Sequence, residues 1–336
     1  MIAQFILRRL LGLLAVLVAI SAMTFVLARV VPKDPARLIA GPRASQQAVE
    51  ALRERLGLNG TLVEQYVRYM GGLLQGDLGM SFSTKRPVLE DIRIFFPATA
   101  ELTLAALLFS LLVGLPIGVI SAAWKDSAFD YVGRFLSTLG VSLPPFWVAL
   151  VGQLVGYYFL SVLPVGGRLS QGVAPPPNIT GFYTLDSLLT GQWGTFLNAL
   201  WHLVLPAFVL SFGVIAVFVR IMRASMLDVM RQDYIRVARA KGLTYSVVVL
   251  RHAVRNAMIP TLTVIGLQVG LLMSGSFLTE SILQWPGVGL YAANALLAAD
   301  YNATMGVTLV GATIYTIANA LVDIAYGIVD PRLRAT

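Results

Sequence analysis

A chain of 336 residues with 57% hydrophobic and 12% charged side chains and a mean hydropathy of +0.76 is too apolar for the two soluble domains its length would otherwise suggest. Its net charge of +8 is what cationic loops beside anionic lipid require, so it gives no ground for a nucleic-acid partner. With no cysteine, no disulfide supports any part of the chain outside the membrane.

Uncharged stretches occupy 10–28, 102–124, 135–167, 187–219, 256–279 and 301–322. Each can cross roughly 30 Å of hydrocarbon, which takes about 20 helical residues. Their length, and the lack of period-two alternation within them, point to helices rather than barrel strands. The expected fold is therefore all-α, a polytopic membrane protein of six transmembrane helices.

Residues 1–31 hold the first helix. Arg8 and Arg9 precede its apolar run as in a secretory signal, but the run is too long and no small-x-small cleavage site follows, so an uncleaved span is expected. Residues 32–97 form a small helical external segment. Ser45 caps a helix with Val49, Leu52 and Leu56 on one face, and Gly57 suits its left-handed exit. Thr61 and Glu64 make a capping box ahead of Val63, Tyr66, Val67, Met70 and Leu74, and Pro87 starts a third helix leading into the second span.

Residues 98–330 form a five-helix core. Leu163 and Pro164 are expected to end the third span, and the glycine-containing stretch 191–195 to leave about 197–219 as the fourth. Between them lies a loop carrying Pro175, Pro176 and Pro177, with at most a turn of helix at 185–189. Small residues at four-residue spacing, Gly114 and Gly118, Gly152 and Gly156, Gly266 and Gly270, let helices approach closely in lipid. Residues 331–336 are a tail.

Cations counted in short loops set the orientation. Arg8 and Arg9, Lys125 and Arg134, the loop after helix 4, and Arg332 and Arg334 all fall on the cytoplasmic side if six helices begin and end there. The segment 32–97 is placed outside despite its cations, because segments longer than about 60 residues are largely exempt from the rule.

The loop after helix 4, about 227–256, carries the functional signal. Helix 4 continues beyond the span through Met226 and Met230; Asp233, Tyr234, Arg236, Val237, Ala238, Arg239 and Lys241 then belong to a short basic helix ended by Gly242 and followed by Leu243. A second cationic helix, about 246–256, returns the chain to the bilayer at Pro260. Ala238 and Ala240 keep this knob slender, and Tyr234, Val237 and Lys241 share a face that could enter a groove on a soluble partner. A basic segment lying on anionic membrane lipid accounts for the same residues equally well.

The run Tyr-Ile-Arg-Val-Ala-Arg-Ala-Lys-Gly-Leu at 234–243, followed by His-Ala-Val-Arg-Asn-Ala-Met-Ile-Pro at 252–260, resembles the coupling loop of ABC importer permeases, specifically the B-type membrane subunit of dipeptide and oligopeptide systems. The broader family's Glu-Ala-Ala is here Arg236, Val237 and Ala238, a departure common in the peptide branch. Asp34-Pro35, Gly76 to Gly79, Pro145 to Trp147, Leu205-Pro206, Thr279-Glu280, Trp285 to Gly289 and Asp330 to Arg332 extend the resemblance in order over nearly the whole chain.

The resemblance implies a type I ABC importer permease fold in a bacterial inner membrane, with the loop docking into a cleft of an ATPase subunit. It implies as partners a second permease, two ATPase subunits that hold ATP and magnesium, and an external solute-binding protein. Peptides, glutathione, nickel chelates and sugars are cargoes of such systems.

No phosphate-binding Gly-x-x-x-x-Gly-Lys-Ser/Thr motif occurs, so no catalytic residue or cofactor site is expected in this chain. His202 and His252 are not spaced as metal ligands. An ion-coupled secondary transporter or channel subunit is the alternative, but it would bury ionisable groups mid-helix, whereas Glu101, Glu280 and Asp323 sit toward span ends. The orientation is directly testable in this cysteine-free chain. Cysteines at Ser246 and Gln46 should label from opposite faces of the membrane; labelling of both from outside reverses the topology.

Overall fold

The computed structural model describes residues 2–29, 35–41, 43–55, 57–273 and 277–329. Leu56, Asp34 and the segment 330–336, with its Asp330 to Arg332 motif and tail, lie outside the described residues, as do the side chains of Arg8, Arg9 and Asp323. Regular structure among the described residues is helical, apart from one isolated bridge between Met80 and Pro87.

Helix α1 (Ile2–Arg29) is followed by the short α2 (Pro35–Ala40), α3 (Gln46–Arg55) and α4 (Leu62–Leu74). Ser45 Oγ accepts from Ala48 N at 3.2 Å, Gly57 turns the chain out of α3 with φ +63°, and Thr61 and Glu64 form the reciprocal capping box. Helix α4 rests on α1: Tyr66 meets Phe25 edge to face, with centroids 5.3 Å apart, and its hydroxyl lies 2.9 Å from Ser21 Oγ.

The chain then forms α5 (Val88–Ala123), α6 (Ala128–Ser142) and α7 (Pro145–Gln153), with a π-helical turn at Leu154–Phe159. Next come α8 (Tyr183–Leu189), α9 (Trp193–Met230), α10 (Asp233–Ala240), α11 (Tyr245–Val247), a second π-helical turn at Val248–Ala253, and α12 (Val254–Met273). Helices α13 (Phe277–Ile282), α14 (Val288–Leu297) and α15 (Tyr301–Val329) complete the chain. Three of these, α5, α9 and α15, are long and apolar enough to cross a membrane unaided, and the bent pair α6–α7 makes a fourth if its two halves form one span. Helix α1 carries a shorter apolar stretch, Leu11–Val26, and α12, of 20 residues, occupies the place expected of the fifth span.

The structure departs from expectation at three places. The helical run of the third span stops at Phe159, just ahead of Leu163-Pro164 as expected, but it also turns through 102° between α6 and α7. Pro144 and Pro145 are the reason: neither offers an N–H, and each pushes its predecessor into extended backbone, seen at Leu143 (ψ 127°) and Pro144 (ψ 137°). The fourth helix starts at Trp193, two residues after the left-handed Gly191, and runs for 38 residues, so Gly194 sits inside its first turn. The helix returning from the knob is one continuous rod from Tyr245 to Met273, with Pro260 inside it.

Helix α9 is the axis on which α5, α6, α7 and α12 pack. Missing side chains make the contacts close: Gly114 lies against Phe218 and Ile215, Gly118 against Met222 and Val219, Gly140 against Ala216 and Phe212, and Gly152 against Leu205. In lipid, where apolar side chains gain little by leaving their surroundings, such backbone approach drives helix association. A Cβ on Gly118 would stand 2.7 Å from Met222 Cβ and 3.0 Å from the Val219 carbonyl oxygen, which cannot rotate away. Gly118→Leu is therefore expected to cost about 1–3 kcal/mol by overpacking, measured as a lowered unfolding midpoint in detergent. Gly194→Leu, in open space, serves as the control: with no clash to meet and a better helix former in place of glycine, it should keep or raise the midpoint.

Candidate functional site

The knob at 227–256 is built on the protruding end of α9. Asp233 opens α10, where its carboxylate complements the helix dipole, and bonds Arg236 Nη1 at 3.3 Å. Ile235 and Ala238, three residues apart, turn inward. They join Met222 and Met226 of α9, Val248, Val249 and Ala253 of the returning helix, and Ala122 at the end of α5. Full burial of Ile235 alone contributes about 2 kcal/mol.

The opposite face stays open. Tyr234 and Val237 are 42% and 53% exposed, and Arg236, Arg239, Lys241, Gly242 and Leu243 are exposed with them. Of the residues singled out in the sequence, Ala238 alone is withdrawn: it supports the knob from beneath, while Ala240 faces out. Gly242 ends the helix with φ +76°, its N–H donating to Arg239 O at 2.9 Å, and no atom lies within 4 Å of the place a Cβ would take. The glycine is required by the backbone and not by crowding.

Two contacts that sequence reasoning did not identify brace the knob, and a third ties α9 to α6 below it. Asn256 Nδ2 donates to Tyr234 Oη at 2.9 Å, Tyr245 Oη donates to Ala123 O at 2.5 Å, and Arg223 forks onto the buried Asp130. Arg223 was visible only as one cation among many. Asp130 carried a local signal, since it stands three residues after Ser127, the N-cap of α6.

The other end of α5 carries a polar clasp. Thr99 Oγ1 donates to Glu280 Oε1 at 3.0 Å and accepts Val288 N at 2.8 Å, Trp285 Nε1 donates to Ala98 O at 2.9 Å, and Glu280 Oε2 accepts Gly289 N at 2.7 Å at the start of α14. Glu101 pairs with Arg168 at 2.5 Å and accepts two bonds from Thr184, while the Arg168 guanidinium lies 3.5 Å from the Tyr183 ring centre. Nearby, burial acts to raise the Asp186 carboxyl, but bonds from Thr180, Gly181 and Ile179 outweigh it and hold the group below the ordinary carboxylate range. Glu101 and Glu280 thus each join separate elements of the fold.

The 32–97 segment is fastened at this same end. Asp300, fully buried, accepts from Ser81 Oγ at 2.6 Å and Ser83 N at 3.0 Å, and Asn302 Nδ2 donates to Met80 O at 2.9 Å. A cleft of about 770 Å3, lined by Arg68, Tyr69, Asp77, Lys85 and Asn302 among others, opens beside it. Helix α5 has 36 residues and so puts about 50 Å between this cleft and the knob. His202 Nδ1 lies 2.9 Å from Asn198 O, and no group of three or more potential metal ligands occurs among the described residues.

Two family descriptions match the chain. "Binding-protein-dependent transport system inner membrane component" covers residues 114–335, and the corresponding N-terminal description covers 1–103. The chain is 45% identical to the probable D,D-dipeptide transport system permease protein DdpB of Escherichia coli (strain K12), over 96% of this chain and 95% of that one. It is 42% identical to the dipeptide transport system permease protein DppB of Alkalihalophilus pseudofirmus, over 97% and 98%. It is also 34% identical to the glutathione transport system permease protein GsiC of Escherichia coli O6:H1, over 98% and 99%. With the resemblance running end to end over an all-helical polytopic fold, the chain belongs to the family of binding-protein-dependent transport system inner membrane components.

Proposed function

We propose that this chain is the permease subunit of an ATP-binding cassette importer for dipeptides or related small peptides. It forms the translocation pathway with a second, similar permease in a bacterial inner membrane, with both termini in the cytoplasm. An external solute-binding protein delivers the cargo. Two ATPase subunits, which hold ATP and magnesium, drive the cycle, and this chain performs no catalysis itself.

The observation that carries the reading is the knob. A helix that only held lipid would lay its cations and apolar flank on one plane. Here α10 is braced from below by Ile235 and Ala238 and presents Tyr234, Val237 and Lys241 outward, at the end of a 38-residue helix that continues into the core. That is a shape for insertion into a protein groove and for passing a push along α9. The residues assigned to docking are Asp233, Tyr234, Arg236, Val237, Arg239, Lys241, Gly242 and Leu243, with Ala238 as support. Extended identity to permeases named for dipeptide transport supports the cargo class.

Closure of the ATPases on ATP would displace the knobs, and the helix bundle would switch between packings open to either side. Gly242→Val tests the docking role. Its left-handed backbone would impose about 1 kcal/mol or more on a β-branched residue, while the open space around it spares the rest of the fold. Insertion should be normal, dipeptide uptake lost, and copurification or stimulation of the ATPases reduced. Charge-neutral changes at Arg239 and Arg251 should matter less. A Gly242→Val complex that assembles and transports normally, with the arginine changes damaging instead, would assign the segment to lipid.

A further inference from the structure

Asp130 is a fully buried carboxylate on the first turn of α6. It receives Arg223 of α9 in a two-pronged bond, Nε at 2.6 Å and Nη2 at 2.8 Å, together with the Asp126 N–H at 3.0 Å; Arg134 Nε stands 3.7 Å away. Stability alone does not explain it, since a buried ion pair is commonly matched or bettered by apolar side chains of similar volume. What a fork-to-carboxylate pair adds is direction: it fixes rotation as well as separation.

Its position gives that stiffness a use. Met222 and Met226, on either side of Arg223, lie in the same buried cluster as Ile235 and Ala238 of the knob, so Arg223 is rooted where α9 carries α10. Asp130 stands at the start of α6, which leads to the 102° bend at Pro144 and Pro145. Farther along, Gly140 of α6 again touches α9, with Ala216 Cβ 2.6 Å from where its own Cβ would be. Helix α6 is therefore held to α9 at two levels, by charge near the knob and by close packing near the bend.

We propose that the Asp130–Arg223 pair is the positioning contact that makes α6, and with it the bent span, follow the end of α9 when the knob is displaced. This rests on the importer reading above and assigns, within it, the joint between knob and bundle. The pair touches neither solute nor nucleotide; it acts through α6.

The test uses the full complex in proteoliposomes, with the binding protein and radiolabelled dialanine, and compares solute moved per ATP hydrolysed. Changing both residues together, Asp130→Asn with Arg223→Gln, removes both charges and strands neither. This variant should insert, assemble and hydrolyse ATP as the wild type does. Its transport per ATP should fall by about tenfold or more, as expected when the directional, charge-assisted forked bond between the two helices is lost. Arg223→Lys keeps the charge without the fork and should fall between. Retention of the wild-type ratio by the neutral pair overturns the proposal, because the contact is then dispensable. Failure of that variant to assemble overturns it too, because the pair is then structural. If the wild-type complex shows no ATP-driven uptake, the importer reading is what fails.

Discussion

The close approach of α5 to α9 is the constraint from which the rest of the architecture follows. Gly114 and Gly118 leave no side chain between the helices, so Phe218 and Met222 of α9 rest against the backbone of α5. Helices of 36 and 38 residues joined in this way behave as one rod pair. Much of the core is hung on it: α6 and α7 through Gly140 and Gly152, α12 along another side, the clasp at one end and the knob at the other.

Polar groups buried at the two ends of this pair do different work from the glycines along it. Glycine contacts set how near the helices lie; ion pairs and forked bonds set which residue faces which. At one end Thr99 and Glu101 gather the 164–192 loop, α13 and α14 onto α5 through Glu280, Arg168 and Thr184. At the other, Arg223 ties α6 to α9. A buried charge costs several kcal/mol to desolvate unless it is well paired, so such residues mark places where orientation matters more than adhesion. In a transporter that alternates between two packings, those are the places where a push on one element becomes motion of another.

Much of this was legible in the sequence because it is written in local rules. The capping box at Thr61 and Glu64, the caps at Ser45 and Gly57, the uncharged spans and the Gly242 stop depend only on neighbouring residues, and each took the form its neighbours dictate. The span boundaries failed where two local signals competed. Leu163-Pro164 does follow the end of the helical run at Phe159, but the adjacent pair Pro144 and Pro145 removes two donors at once and bends the span earlier as well. Gly194 argued against helix at the start of α9, yet a glycine in a first turn costs only about 1 kcal/mol, and the packing of a long helix overrides it. The knob's outer face could be read from helical spacing. Its supports could not: Asn256 on Tyr234, Tyr245 on Ala123 and Arg223 on Asp130 join residues far apart in the chain, which periodicity does not relate.

The most direct measurement of the central claim is ATP-driven dipeptide uptake by the reconstituted complex, made with and without this subunit, with the isolated chain assayed for ATP hydrolysis alongside. A permease driven through its knob gives uptake only when the subunit, the ATPases, the binding protein and ATP are all present, and the purified chain alone hydrolyses no ATP. Uptake driven by an ion gradient through this chain without the ATPases, or nucleotide turnover by the isolated subunit with contamination excluded, would contradict it.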